Sequence, residues 1–147
     1  MHMKNWTIGA LLLCTLPSVS QARDTTHYLP FEAVVAYTTQ AGRLDGTVKF
    51  YLAGNKPAGD VSVINPSITT SHKTNGFDIH DELACSRALE LALIELQNAA
   101  KAAGANAVTE IVSNYQNKEY RDPANYECHA GANLARVELK AQLATVE

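Results

Sequence analysis

The sequence predicts a small α+β domain in which an antiparallel or mixed sheet packs on one long helix. Three observations carry this. Apolar side chains recur at helical spacing from about Ile79 to Ala103. Strand-like runs stand before and after that segment, in the order β-α-β-β. Stretches rich in Gly, Pro, Asn and Ser separate the runs.

Taken in order, residues 23–29 read as a loose N-terminal arm. Phe31–Tyr37 follows Pro30 and is read as a short helix, because proline favours a first helical turn, although Val34-Val35 would suit a strand. Asp45-Gly46 marks a turn, and Thr47–Leu52 is a strand with Val48, Phe50 and Leu52 on one face. Residues 53–77 are expected to be loop, with a short strand at Val61–Ile64. Such a long loop is uncommon in a compact domain.

The long helix is the strongest element. Asp78 is its expected N-cap, Asp81 and Glu82 suit its first turn, and Gly104 is a natural residue just past its end. Leu89, Ala92, Leu93, Leu96, Ala100 and Ala103 share one broad face. Arg87, Glu90, Gln97, Asn98 and Lys101 form the opposite one, with Leu91 and Ile94 blurring the division. A helix this apolar is covered on two sides, by the sheet and by the N-terminal segment or another subunit. Ala107–Ser113 follows as a strand, Lys118–Asn125 as a polar turn, and Ala130–Lys140 as a returning strand facing Ala135, Val137 and Leu139 inward. The core of the domain spans about residues 45–141.

The chain begins with Lys4 as its one early charge, then the apolar run Ile8–Leu16, then Pro17 and Ser20-Gln21-Ala22. That order is the pattern of a secretory signal, with cleavage expected near Ala22 and a periplasmic or secreted product of residues 23–147. The run is shorter than the about 20 residues that span a bilayer. Acylation at Cys14 is the alternative, disfavoured by Leu13 before it. Of 12 Lys and Arg, removing Lys4 leaves 11 against 15 acidic residues. That balance shows no basic face for nucleic acid.

Two cysteines, Cys85 and Cys128, are left after such cleavage. An even pair in an exported chain reads as a disulfide, the alternatives being a free thiol pair or a metal site.

The segments KTNGF, DELAC, ALIELQNAAKAAGANAV, SNYQNKEY and YECHAGANLARVELK, between Lys73 and Lys140, carry a family pattern. They resemble small exported proteobacterial proteins of unknown function that often bear the label "excinuclease ATPase subunit". No phosphate-binding glycine loop with Lys-Ser/Thr and no Cys-x-x-Cys pair supports that label here. The helix followed by Gly104-Ala105-Asn106-Ala107-Val108 is also similar to YbjQ-type domains and to the Rcs stress-sensor lipoprotein. The first resemblance implies a ring-forming, heavy-metal-binding fold. The second implies disulfides flanking a helix–strand unit.

Candidate sites are few. Asp78, His80 and His129 are possible ligands for zinc or copper, although no His-x-x-x-His spacing sets two imidazoles on one helix face. Cys128-His129 is a thiol beside an imidazole, but neighbours on a strand point to opposite faces. Tyr115, Tyr120 and Tyr126 are expected either to form a partner-binding rim or to pack over the sheet near Cys128. Ala130-Gly131 suggests a bulge or a close backbone approach. No catalytic triad or paired-carboxylate motif stands out. The expectation is a non-enzymatic interaction module with an envelope protein partner or a homo-oligomeric state. A metal-binding protein comes second and an envelope enzyme third.

Overall fold

The structure is a computed structural model that describes residues 14–15 and 23–147. Apart from Cys14 and Thr15, the expected signal lies outside the described residues. The element order is β1 (Thr25–Pro30), α1 (Phe31–Gln40), β2 (Lys49–Leu52), β3 (Val61–Asn75), α2 (Asp81–Ala102), β4 (Ala107–Ser113), β5 (Asn125–Ala130) and β6 (Leu134–Val146). A single 3₁₀ turn, Tyr115–Asn117, lies between β4 and β5. The fold is α+β, a six-stranded mixed sheet packed on α2.

Strand β6 organises the sheet because its sequence alternates cleanly. Ala135, Val137, Leu139 and Ala141 are buried, while Arg136, Glu138, Lys140 and Gln142 sit between them on the other face. Strand β3 pairs antiparallel along one whole side of it, from Val61 opposite Val146 to Asn75 opposite Leu134. Two strands share the other side. β5 pairs at Ala135 and Arg136, and β4 pairs from Leu139 to Ala144. β1 extends β5, and β2 extends β4 in parallel. Two partners on one side of a strand make the sheet curl.

Helix α2 lies in the concavity. Its alanines and leucines favour helix, and Ala88, Leu89, Ala92, Leu93 and Ala100 are fully buried. Burying each leucine contributes about 2–3 kcal/mol. Leu93→Ala would remove that and leave a cavity, at about 2–5 kcal/mol. The second side of the helix is covered by α1 and the segment after it. Glu90 is buried beneath an ion pair with Arg43, and the Asp45 N–H donates to Gln97 Oε1 at 3.0 Å. Lys101 reaches the Asp45 carboxylate. The expected polar face is therefore partly covered by the N-terminal segment. Gly104 follows the helix with φ +75°, a conformation that suits glycine.

Several expectations are corrected. Residues 23–29 are not a loose arm, since β1 starts at Thr25 and runs to Pro30, which is the cap residue of α1. Residues 53–77 are mostly strand, because pairing with β6 outweighs their turn-prone composition. The returning strand is two strands, β5 and β6, with a tight connection at residues 131–133. Asp78 does not cap α2. It has φ +58°, and His80 occupies the cap position without a side-chain bond.

The disulfide joins Cys85 of α2 to Cys128 of β5, with both residues fully buried. It closes a loop of 43 residues. On the chain-entropy model that contributes about 4 kcal/mol. Among the described residues, no helix is long and apolar enough to cross a membrane.

Candidate functional site

On β5 the side chains alternate across the sheet. Tyr126, Cys128 and Ala130 point into the core, and Glu127 and His129 lie on the opposite, outer face. β1 adds Thr26 opposite His129 and Tyr28 opposite Glu127. The connection between β4 and β5 folds back over this face. Gln116 and Asn117 adopt left-handed backbone, with φ +52° and +61°, and this turn carries Tyr115 onto the sheet. The turn is tied down by Glu138. Its main-chain oxygen accepts the Asn114 N–H at 2.8 Å, and its carboxylate accepts the Gln116 N–H at 3.2 Å. Ser113 Oγ accepts the Glu127 N–H at 2.9 Å.

Two aromatic pairs result, one stacked and one tilted. Tyr115 lies flat on the His129 ring, with centroids 3.4 Å apart and planes inclined by 14°. Tyr28 meets Tyr120 at 4.5 Å and 39°. The His129 ring nitrogens face carboxylates on both sides, Glu127 Oε1 at 2.5 Å from Nε2 and Asp24 Oδ1 at 3.2 Å from Nδ1. Thr26 Oγ1 is 3.5 Å from Nδ1, the weaker contact at that nitrogen.

Burial pushes the Tyr120 phenol above its ordinary range, and the neighbouring Asp122 carboxylate adds to this. Asp122 itself is held below the usual carboxylate range by the backbone N–H groups of Ala124 and Asn125, at 2.8 and 2.7 Å. It stabilises the turn that leads into β5. Beside the Tyr115–His129 stack lies a shallow depression of about 240 Å³, lined by Arg23, Asp24, Gly131, Leu134 and Arg136. Larger depressions lie around α1, one of about 450 Å³ between α1 and α2 near Tyr37 and Leu83.

The sequence-predicted residues divide between two faces. Tyr115, Tyr120 and His129 come together on the outer face. Tyr126 does not join them: it is 1 % exposed, packed in the core with Cys128, and burial pushes its phenol far up. Its place in the inward register of β5 corrects its expected role in a partner surface. Asp78 and His80 are exposed in the connection ahead of α2. Among the described residues, no group of three or more His, Cys, Asp or Glu is arranged to hold a metal ion.

Sequence reasoning missed Asp24, Thr26, Tyr28 and Glu127, which complete the outer face. It also missed a tie at the start of β1. Arg23 donates two hydrogen bonds to the Asp81 carboxylate, at 2.8 and 3.0 Å, and a third to the Gly131 oxygen at 2.5 Å. His27 Nε2 lies 2.9 Å from the same Asp81 carboxylate. A Cβ on Gly131 would stand 3.0 Å from the Arg23 oxygen, the close backbone approach expected there. The signal for β1 was present in Thr25-Thr26-His27-Tyr28-Leu29, whose residues are strand-prone.

No family model, curated protein or solved structure matches the chain.

Proposed function

We propose that this chain acts outside the cytoplasm as a non-enzymatic binding module. It engages a protein partner through the outer face of β1 and β5. One observation carries the reading: Tyr28, 52 % exposed, leans at a tilt on Tyr120 beside the stacked Tyr115–His129 pair. Braced tyrosines offer a large contact area with little entropy left to lose, which is the chemistry of interface anchors. The surrounding Asp24, Glu127, Arg136 and Lys140 supply a polar rim. Export is supported by the N-terminal sequence pattern and by the buried disulfide, a bond typical of oxidising compartments.

The test is site-specific photo-crosslinking in cells that express the full chain. A photoreactive residue replaces Tyr28 in one variant and Asn98, on the exposed side of α2, in another. The expected result is a discrete heavier adduct from position 28 that is absent from position 98. No adduct at 28, or the same adducts at both positions, would overturn the reading.

A further inference from the structure

We propose that two copies of this chain pair edge to edge through β3, antiparallel and related by a two-fold axis at Pro66. This goes beyond the aromatic surface and does not rest on it.

The three free edges of the sheet differ. β1 is six residues long and ends in Pro30, and β2 is four residues long and begins at Lys49. Shortness, proline and lysine are the usual guards against strand addition. β3 is 15 residues long and, among the described residues, pairs in the sheet with β6 alone. From Val61 to Ser71 it carries no charged side chain. Val61, Val63 and Ile64 are 43–49 % exposed on it, although they are strand-formers with nothing beyond them. An uncharged, apolar edge of this length is a template for another strand.

The choice of a second copy comes from the symmetry of this stretch. Pro66 is its middle residue. It has no N–H, and the Ser67 N–H is already taken by Asn65 Oδ1 at 3.0 Å, so residues 65–67 form a kink that cannot continue a ladder. Two pairable arms are left, 61–64 and 68–71. An antiparallel two-fold at Pro66 sets each arm of one copy against the other arm of its mate. Val61 then faces Ser71, Val63 faces Thr69, and Ile64 faces Ile68, each twice.

The ends agree. Asp60 precedes the uncharged stretch, and Glu147 is paired to it through two backbone bonds of 2.9 and 3.1 Å. His72 and Lys73 follow the stretch; His72 meets Glu95, and Arg136, opposite Lys73 on β6, is paired with Glu138, so Lys73 is the unpaired cation of this end among the described residues. Antiparallel pairing places the acidic end of each copy beside the basic end of the other. Parallel pairing would place like beside like. Lys73 and Asp60 have no ion-pair partner among the described residues.

Sedimentation equilibrium on protein recovered from cells expressing the full chain tests this. The expected mass is twice that of one chain. Val63→Lys, an exposed change, should give a folded monomer that still unfolds cooperatively, with a thermal transition that no longer depends on protein concentration. Lys73→Glu should weaken association about tenfold by setting acid against acid at both ends. The double variant Asp60→Lys/Lys73→Glu should restore it, because the complementary ends are merely exchanged. A wild-type monomer at submillimolar concentration would overturn the proposal and leave a strand of another protein as the occupant. A dimer that survives Val63→Lys would place the interface elsewhere. Failure of the double variant to recover would rule out the antiparallel register. None of these results alters the position-28 crosslink, so the two readings fail separately.

Discussion

His27 stands directly opposite Cys128 in the β1–β5 ladder and reaches across to Asp81, one helical turn before Cys85. The N-terminal strand thus lies beside the disulfide, and Arg23 and His27 tie it to the first turn of α2. An acid at that position also meets the positive end of the helix dipole.

This arrangement predicts how the disulfide is reached. Among the described residues β1 pairs with β5 alone, so its opening is a local event, not a global one. Arg23→Ala or Asp81→Asn should release its start and speed reduction of Cys85–Cys128 by a soluble thiol. The ion pair is exposed and screened by solvent, so the rate should rise only a few-fold. Trapping free thiols over time under a fixed dithiol concentration gives the rates. Equal rates in variant and wild type would mean that β1 does not gate access.

The same carboxylate fixes an acid limit to stability. Hydrogen bonds from Arg23, then His27, lower the Asp81 pKa from 3.8 to about 2. A carboxylate depressed in the folded state stabilises the fold above its unfolded pKa and loses that contribution as pH falls through the folded one. Asp81's share is therefore complete above about pH 4 and gone below about pH 2. Glu95 is also lowered, by the Thr70 hydroxyl and then by His72, and acts in the same direction. Melting temperature in acid should fall through this window, and Asp81→Asn should shallow the fall. Solvent screening limits the Asp81 contribution to about 1 kcal/mol. A slope unchanged by the variant would remove Asp81 from the account.

Tyr28 and Tyr126 should behave oppositely on truncation. Tyr126 is among the largest fully buried side chains, so Tyr126→Ala should cost about 3–5 kcal/mol. Tyr28→Ala, on the outer face, should cost only about 0.5–1.5 kcal/mol, the worth of its aromatic pair with Tyr120. Urea unfolding of the two variants compares them directly. If both proved neutral, the inward register of β5 would be wrong.

That register also shows where the sequence was legible. The alternation Ala135–Gln142 and the apolar face of α2 identify the sheet and its helix without coordinates, because burial on one face leaves a period. Cys85 and Cys128 were legible by parity. The face of Tyr126 was not. Tyr115, Tyr120 and Tyr126 look alike in sequence, and only the start of β5 at Asn125 sets the third one inward. β3 was hidden for a different reason. Its ladder with β6 joins residues as far apart in the chain as Val61 and Val146, and its turn-like composition gives no local hint of that pairing. The outer face around His129 depends on β1, so misreading the arm concealed half of the site.

A final prediction concerns Glu110 in β4. The register between β4 and β6 slips between Thr109 and Val112, and Glu110 takes φ +52° at the slip. A side chain there is strained, typically by about 1 kcal/mol or more, whereas glycine adopts the conformation freely. Its carboxylate meets Arg121 at 3.2 Å, but both groups are exposed, and such a pair contributes little. Glu110→Gly should therefore leave stability level or raise it by up to about 1 kcal/mol, although glycine loses more chain entropy on folding. Glu110→Ala removes the same ion pair without relieving the backbone. It should be less stable than the glycine variant in paired urea titrations. Equal stabilities would show that the strain relieved at the bulge is no larger than the chain entropy that glycine gives up.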